Sequence, residues 1–227
     1  MPVPPPPSSP AAAPVPAGGP ATPAVDLTRQ RLIRTALELF TTRGYHDTTT
    51  ALIAKKAGIA EGTIYRHFAS KQQLMNELYR AAQRWAVKLA HDAGTAALAS
   101  PAGAPETARI RLASLAQGLL DGAARDPAVV KLGLLDRYDA LLDEDSRKSA
   151  RELRLAIERI VAEGKAAGAV RPGMVDVWAA LWLAAVTLAV DKVARGEWKP
   201  SDAAARLVID GAWTAIAIPA SPRAPGA

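Results

Sequence analysis

Apolar residues recur every three or four positions along most of this chain, and strict apolar–polar alternation is sustained nowhere, so the pattern predicts helices alone. The first helix shows Leu32, Ile33, Ala36, Leu37 and Phe40 on one face. Gly44 then supplies a left-handed stop, and Tyr45 sits where a residue folds back on the helix end. Asp47 or Thr48 caps a second helix, whose buried face is Ile53, Ala54 and Ala57. Gly58 makes a tight turn that Ile59 plugs, and a third, short helix over 61–67 turns Ile64 and Phe68 inward at i, i+4. Ser70 and Gln73 form a capping box for a fourth helix, with Leu74, Leu78, Ala81, Ala82, Trp85 and Leu89 as its stripe. That helix runs to about residue 97 and ends in the break at Pro101 to Pro105.

Five more helices follow. The fifth, over 106–125, places Leu112, Leu115, Leu119 and Ala123 at helical spacing. Asp126-Pro127 starts a sixth, Asp as cap and Pro in the first turn, carrying Val130, Leu134, Leu135 and Tyr138. The acidic run Asp143-Glu144-Asp145 suits the N-terminus of a seventh, which shows Leu153, Ala156, Ile157, Ile160, Val161 and Gly164 and ends at Gly168. After the turn Arg171-Pro172-Gly173, residues 175–190 are apolar on all sides. A membrane span needs about 20 apolar residues. This run is broken by Asp176 and closed by Asp191, so it reads as a helix buried on more than one face. Pro200-Ser201-Asp202 starts a ninth, with Ala204, Leu207, Val208, Gly211, Ala212, Ala215 and Ile218 as its stripe. Residues 1–25 hold ten of the 18 prolines among Ala, Ser and Gly, too little apolar surface to pack, and residues 219–227 are a second Pro/Ala tail.

The expected class is therefore all-α, with about nine helices: a three-helix unit over 26–72, then a helical bundle over 73–218. Two short helices joined by a turn containing Gly form a helix-turn-helix, whose second helix enters the DNA major groove. The quoted positions go further. Ala36, Phe40, Gly44-Tyr45, Thr48-Thr49, Ile53-Ala54, Ala57-Gly58-Ile59, Gly62-Thr63-Ile64-Tyr65, His67-Phe68, Lys71 and Leu74 resemble, in type and spacing, the TetR family of tetracycline-repressor-like regulators. One departure is Ala60, where the family usually has Ser; the loss of that cap costs about 1 kcal/mol. Another is Thr50 and Leu52, which invert the usual apolar–polar order at the start of the second helix. In the bundle the resemblance rests on helix count and length. It implies a homodimer through the last two helices and a ligand pocket inside the bundle.

Charge agrees with a DNA partner. Through His91 the chain holds eleven of its 28 Lys and Arg and five of its 22 Asp and Glu. The remainder is neutral, so all of the net charge of +6 lies in the segment that already reads as DNA-binding. The chain has no Cys, which excludes disulfides and thiolate chemistry, and only three His, so no metal site or cofactor is expected. No Gly-rich phosphate loop and no paired carboxylates suggest an enzyme. No secretory pattern is present, and a cytoplasmic protein with no membrane association is expected.

The outward positions of the third helix are Glu61, Gly62, Thr63, Tyr65, Arg66 and His67. Arg is the commonest reader of guanine, which makes Arg66 the base-reading candidate beside Glu61 and Thr63. Tyr65 is either core or, as the resemblance implies, a surface residue whose hydroxyl reaches a phosphate. His67 is either a structural cap or a phosphate contact. Lys71, at a helix N-terminus, is a phosphate contact or a solvated lysine. Thr48 and Thr49 are caps first, with hydroxyls that can also reach phosphate. In the bundle, Trp85, Tyr138, Trp178 and Trp182 are core aromatics or the lining of a cavity for a small apolar ligand. Two functions stay open at this point: a regulator released from a palindromic operator by such a ligand, and a DNA-binding regulator controlled by a protein partner or by concentration.

Overall fold

The computed structural model describes residues 23–98, 104–135 and 138–219. Most of the two expected tails, residues 1–22 and 220–227, lies outside the described residues, whereas Pro23 to Val25 open the first helix. Among the described residues there are nine α-helices and no strand beyond one isolated antiparallel bridge, Val170 to Ala217. The helices are α1 (Pro23–Arg43), α2 (Thr50–Ala57), α3 (Ile64–His67), α4 (Lys71–Leu98), α5 (Ala104–Arg125), α6 (Pro127–Val130), α7 (Glu144–Ala166), α8 (Val175–Ala194) and α9 (Ala203–Ile216). A 3-10 turn, Glu61–Thr63, leads into α3, and a π-helical turn, Lys131–Leu135, follows α6.

Two hydrophobic cores result. The first gathers Leu32, Ala36 and Phe40 of α1, Ile53 and Ala54 of α2, Ile64 and Phe68 around α3, and Leu74, Met75 and Leu78 of α4. The second is the bundle, with Ala86 and Ala90 of α4, Leu112, Leu115 and Leu119 of α5, Ile157 and Ile160 of α7, Trp182 and Val186 of α8, and Ala212 and Ile216 of α9. α4 belongs to both. Its buried arc is broader than the predicted stripe, because α1, α5 and α7 pack around it. Ala81 is exposed, while Met75, Asn76, Tyr79, Gln83 and Ala86 are buried. Asn76 is satisfied throughout: its amide donates to the carbonyls of Gln72 (2.9 Å) and Leu141 (3.0 Å), and its oxygen accepts from the Asp143 N–H (2.9 Å).

The sixth helix departs from the expected run through Tyr138. Regular α-helix stops at Val130, the chain widens into the π-helical turn, and Tyr138 lies beyond it, before the 3-10 turn Asp139–Leu141. Close packing accounts for the break. A Cβ at Gly133 would stand 2.8 Å from the Ala82 Cβ, so only glycine lets the turn lie against α4. The widened turn also sends Leu132 into the first core while Gly133 and Leu134 face the bundle side. Single π-helical turns often mark functional segments.

Of the described helices, α8 is the one long and apolar enough to cross a membrane by length and composition. Within the single chain it is buried on one side, where more than one buried face was expected. Ala179, Trp182, Val186, Ala189, Val190 and Val193 pack in the bundle core, while Val177, Leu181 and Leu188 are exposed. The predicted α9 stripe is mostly displaced: of its members only Ala212 is buried, Ala204, Val208 and Ala215 are half-buried, and Leu207, Gly211 and Ile218 face out, while Ala205 and Ile216 take the buried places.

Asp143 joins α4 to α7. It caps α7, accepting from the Ser146 N–H (2.8 Å), and takes the Arg80 guanidinium (2.8 Å). Burial works against its charged form, but the Ser146 and Arg80 hydrogen bonds outweigh it and hold the carboxyl below its usual 3.8. A depressed carboxylate contributes stability above its unfolded value and loses it as pH falls through the folded one. Asp143→Ala should therefore lower stability by about 1 kcal/mol at neutral pH. In urea titrations the gap from wild type should close only below about pH 3.8; an equal gap at pH 3 and 7 would contradict this.

Candidate nucleic-acid interface

α2 and α3 meet across a short turn built by local chemistry. Thr49 caps α2, its hydroxyl accepting from the Leu52 N–H (3.1 Å), in place of the expected Asp47 or Thr48. Gly58 adopts φ +67, and the Ile59 N–H closes the turn on the Ala54 carbonyl (3.1 Å). Ala60 gives the next turn no side-chain cap, as its identity requires. Ile64 and Phe68, both almost fully buried, bolt α3 to the first core. The opposite side of α3 is thereby forced outward.

That outward side carries Glu61, Gly62, Tyr65 and Arg66, all exposed, with Thr63 and His67 half-buried at its edges. Tyr65 is 54% exposed, so it is not core. Thr50 is a residue that sequence reasoning missed: its hydroxyl donates to Glu61 Oε1 (2.9 Å) and lies 3.3 Å from the Tyr65 hydroxyl. It ties the start of α2 to the recognition segment, and its signal was the inverted order at that position. Glu61 is thus oriented by an internal contact, whereas Arg66 has no partner among the described residues. Gly62 has open space where a side chain would stand, which permits close backbone approach.

Two expected contacts are placed otherwise. Thr48 is fully buried, and its hydroxyl donates to the carbonyls of Gly44 (2.8 Å) and Leu39 (3.3 Å), so it secures the loop from inside. Lys71 is half-buried. Its ammonium donates to the carbonyls of Tyr45 and Thr48 (2.8 Å each) and lies 4.1 Å over the Tyr45 ring. Burial pushes its pKa down from the usual lysine value, with Asp47 opposing. Lys71 therefore clamps the loop between α1 and α2 to the start of α4. Ser70 and Gln73 form the expected cap there, the Gln73 N–H donating to Ser70 Oγ (3.0 Å) and Gln73 Oε1 accepting from the Ala69 N–H (2.5 Å).

Behind this unit the bundle holds an open cavity of about 640 Å³ between α4, the π-helical turn, α7 and α8. Tyr79, Gln83, Leu134, Leu153, Leu183 and Thr187 line it, with Arg147, Arg151 and Arg154 of α7 along one wall. The four aromatics expected to line a pocket do not converge there. Trp182 is buried in the bundle core, and Trp178 packs on Gly173. Trp85 lies against Gly122 and borders a separate cavity of about 260 Å³. Tyr138 borders an adjoining cavity of about 510 Å³, its hydroxyl donating to the Phe40 carbonyl (3.3 Å). Among the described residues no cluster of His, Asp and Glu could hold a metal ion.

If Lys71 is a clamp, Lys71→Met should lower stability by about 1–3 kcal/mol, since two part-buried carbonyls lose a charged donor. Thr49→Ala should cost about 1 kcal/mol through the lost cap. Denaturant melts of the full chain decide: a Lys71→Met protein as stable as wild type would return Lys71 to the solvated class.

Comparison with known proteins agrees with this architecture. The signature described as bacterial regulatory proteins, tetR family, matches residues 32–78, which span α1 to the first turns of α4. Over 178 residues, 75% of this chain and 73% of the relative, the sequence is 31% identical to the HTH-type transcriptional regulator TcmR of Streptomyces glaucescens. Over 61 residues, 27% of this chain and 30% of the relative, it is 41% identical to the HTH-type transcriptional repressor KstR2 of Mycobacterium tuberculosis. The fold is also that of FadR from Bacillus subtilis, solved in complex with stearoyl-CoA, with a TM-score of 0.64 at 20% identity over 83% of this chain and 99% of that one. With a helix-turn-helix bolted to a helical bundle and a relative matched along most of both chains, this protein belongs to the tetR family of DNA-binding bacterial transcriptional regulators.

Proposed function

We propose that the protein is a dimeric repressor, released from a palindromic operator when a small molecule enters the cavity of the bundle. The observation that carries this is the strap from α6 through the π-helical turn, which touches both halves. Leu132 is buried in the first core, and Ala128, Val129 and Tyr138 pack against it. The next two residues, Gly133 and Leu134, line the cavity. Arg34 of α1 pairs with Asp126 at the head of α6 (2.5 Å). A molecule that displaces Leu134 or Gly133 thus moves residues one or two positions from the helix-turn-helix core. α4 gives a second route, with Tyr79 and Gln83 in the cavity and Leu74 and Met75 in the first core with Ile64 and Phe68. A ligand favouring one posture of these elements changes DNA fit, and linkage requires DNA to weaken that ligand equally. That FadR was solved with an acyl-CoA supports an effector site in this fold.

The dimer reading rests on uncovered apolar surface. Among the described residues, six of the nine large exposed apolar side chains, Met174, Val177, Leu181, Leu188, Leu207 and Ile218, lie on or beside α8 and α9. A second copy packed on these stripes covers them about a two-fold axis and presents both recognition helices to half-sites one helical turn apart, roughly 34 Å, or a multiple of it. A DNA partner also supports a cytoplasmic location.

The test starts from operator selected out of random duplexes by the purified protein. Arg66→Ala should relax preference at one position per half-site, a loss of about 1–3 kcal/mol. It should leave binding to random DNA unchanged. Leu181→Glu with Leu207→Glu should give monomers in sedimentation and lose the palindrome. A wild-type monomer on operator, or specificity untouched by Arg66→Ala, would overturn these assignments. Operator affinity that no compound shifts would leave control by a partner or by concentration.

A further inference from the structure

We propose that the effector is an amphipathic anion, its apolar body against α4, the π-helical turn and α8, and its carboxylate or phosphate held by Arg147 and Arg151. This rests on the reading of the cavity as an effector site and replaces the small apolar ligand expected from the sequence.

Arg147, Arg151 and Arg154 lie at i, i+4 and i+7 of α7 and share one stripe beside Leu153 and Ile157, which form the apolar floor. Elsewhere in the bundle the arginines are mostly spoken for. Arg80 pairs with Asp143, Arg111 with Glu163 and Arg195 with Asp191. Within the cavity wall Arg154 pairs with Glu158 at 3.5 Å, but Arg147 and Arg151 have no carboxylate partner among the described residues. One acid, Asp139, shares the lining, so the wall keeps an excess of positive charge over an apolar floor. The bundle beyond His91 has no net charge, so this excess is local.

A solvated helix face would explain the two arginines alone. It does not explain Gln83 in the same cavity. Gln83 is only 3% exposed; its amide donates to the Gly133 carbonyl (2.7 Å), while Oε1 has no hydrogen-bond partner. Buried polar atoms are nearly always paired, so an orphaned acceptor in a cavity wall marks a ligand site and calls for a hydroxyl or N–H donor on the ligand, apart from its anionic head, which only accepts. Arginine beside an apolar surface suits a planar anionic head, because its fork binds two oxygens at once.

The experiment is calorimetric titration of the full chain with matched heads on two bodies: decanoate, decanol and decylammonium, and anthracene-2-carboxylate beside its neutral alcohol. The carboxylates should bind at least about tenfold more tightly than the alcohols, as a charge-assisted pair implies. Arg147→Gln with Arg151→Gln should abolish that preference while leaving alcohol binding in place. Both side chains are exposed, so the variant should fold, and Arg159→Gln on the same helix, outside the cavity, should behave as wild type. Equal binding of acid and alcohol, preference for the ammonium, or an acid preference that survives the double substitution would each overturn the proposal. Alcohols that bind equally and still release operator would remove the anion while sparing the effector reading. Failure of every compound to bind would remove both.

Discussion

One helix shared by two cores constrains everything else in this molecule. α4 buries Leu74, Met75 and Leu78 under the recognition unit and Ala86, Ala90 and Ala93 in the bundle. Cores are packed at nearly crystalline density and rearrange between discrete arrangements instead of bending smoothly. α4 cannot tilt at one end without repacking the other. Buried polar contacts reinforce this: Asn76 holds the Leu141 carbonyl and the Asp143 N–H, so the start of α7 is fastened to the first turns of α4.

The recognition unit is stiffened from inside for the same purpose. Thr48 and Lys71 spend their donors on carbonyls of the loop between α1 and α2, and Tyr45 sits between the Phe40 ring, tilted against it, and the Lys71 ammonium. The side chains left outward are few. Glu61, Tyr65 and Arg66 stand on a segment held by Ile64 and Phe68, with Thr50 bracing two of them. The groups that brace the unit are thus separate from the side chains left outward.

Much of this was legible in the chain. Helical periodicity, Gly44 and Gly58 as stops, the Ser70–Gln73 cap and the outward set on α3 each follow from local chemistry, which sequence carries directly. What it did not carry was direction in three dimensions. Thr48 and Thr49 are adjacent threonines, and only the loop geometry decides which caps and which is buried. Lys71 read as a phosphate contact or a solvated lysine, and not as a clamp, because its carbonyl partners lie 23 and 26 residues away. The tryptophans drew attention by size, yet size favours core, and Trp182 is buried there. Arg147 and Arg151 drew no notice in the sequence because the cavity beside them is made by α4 and α8. The break after Val130 was hidden for the same reason, since Ala82 on another helix imposes it.

Gly133 offers the most direct test of the account, because it touches the cavity and α4 but lies away from the recognition surface. A methyl group there meets the Ala82 Cβ at 2.8 Å, and neither backbone can yield without shifting the strap that carries Leu132. Operator affinity of Gly133→Ala should therefore change several-fold, on the order of 1 kcal/mol, as coupling energies between sites do. Its helical content should be unchanged. A folded Gly133→Ala protein with wild-type operator affinity would contradict the claim that cavity and recognition helix are joined through this strap.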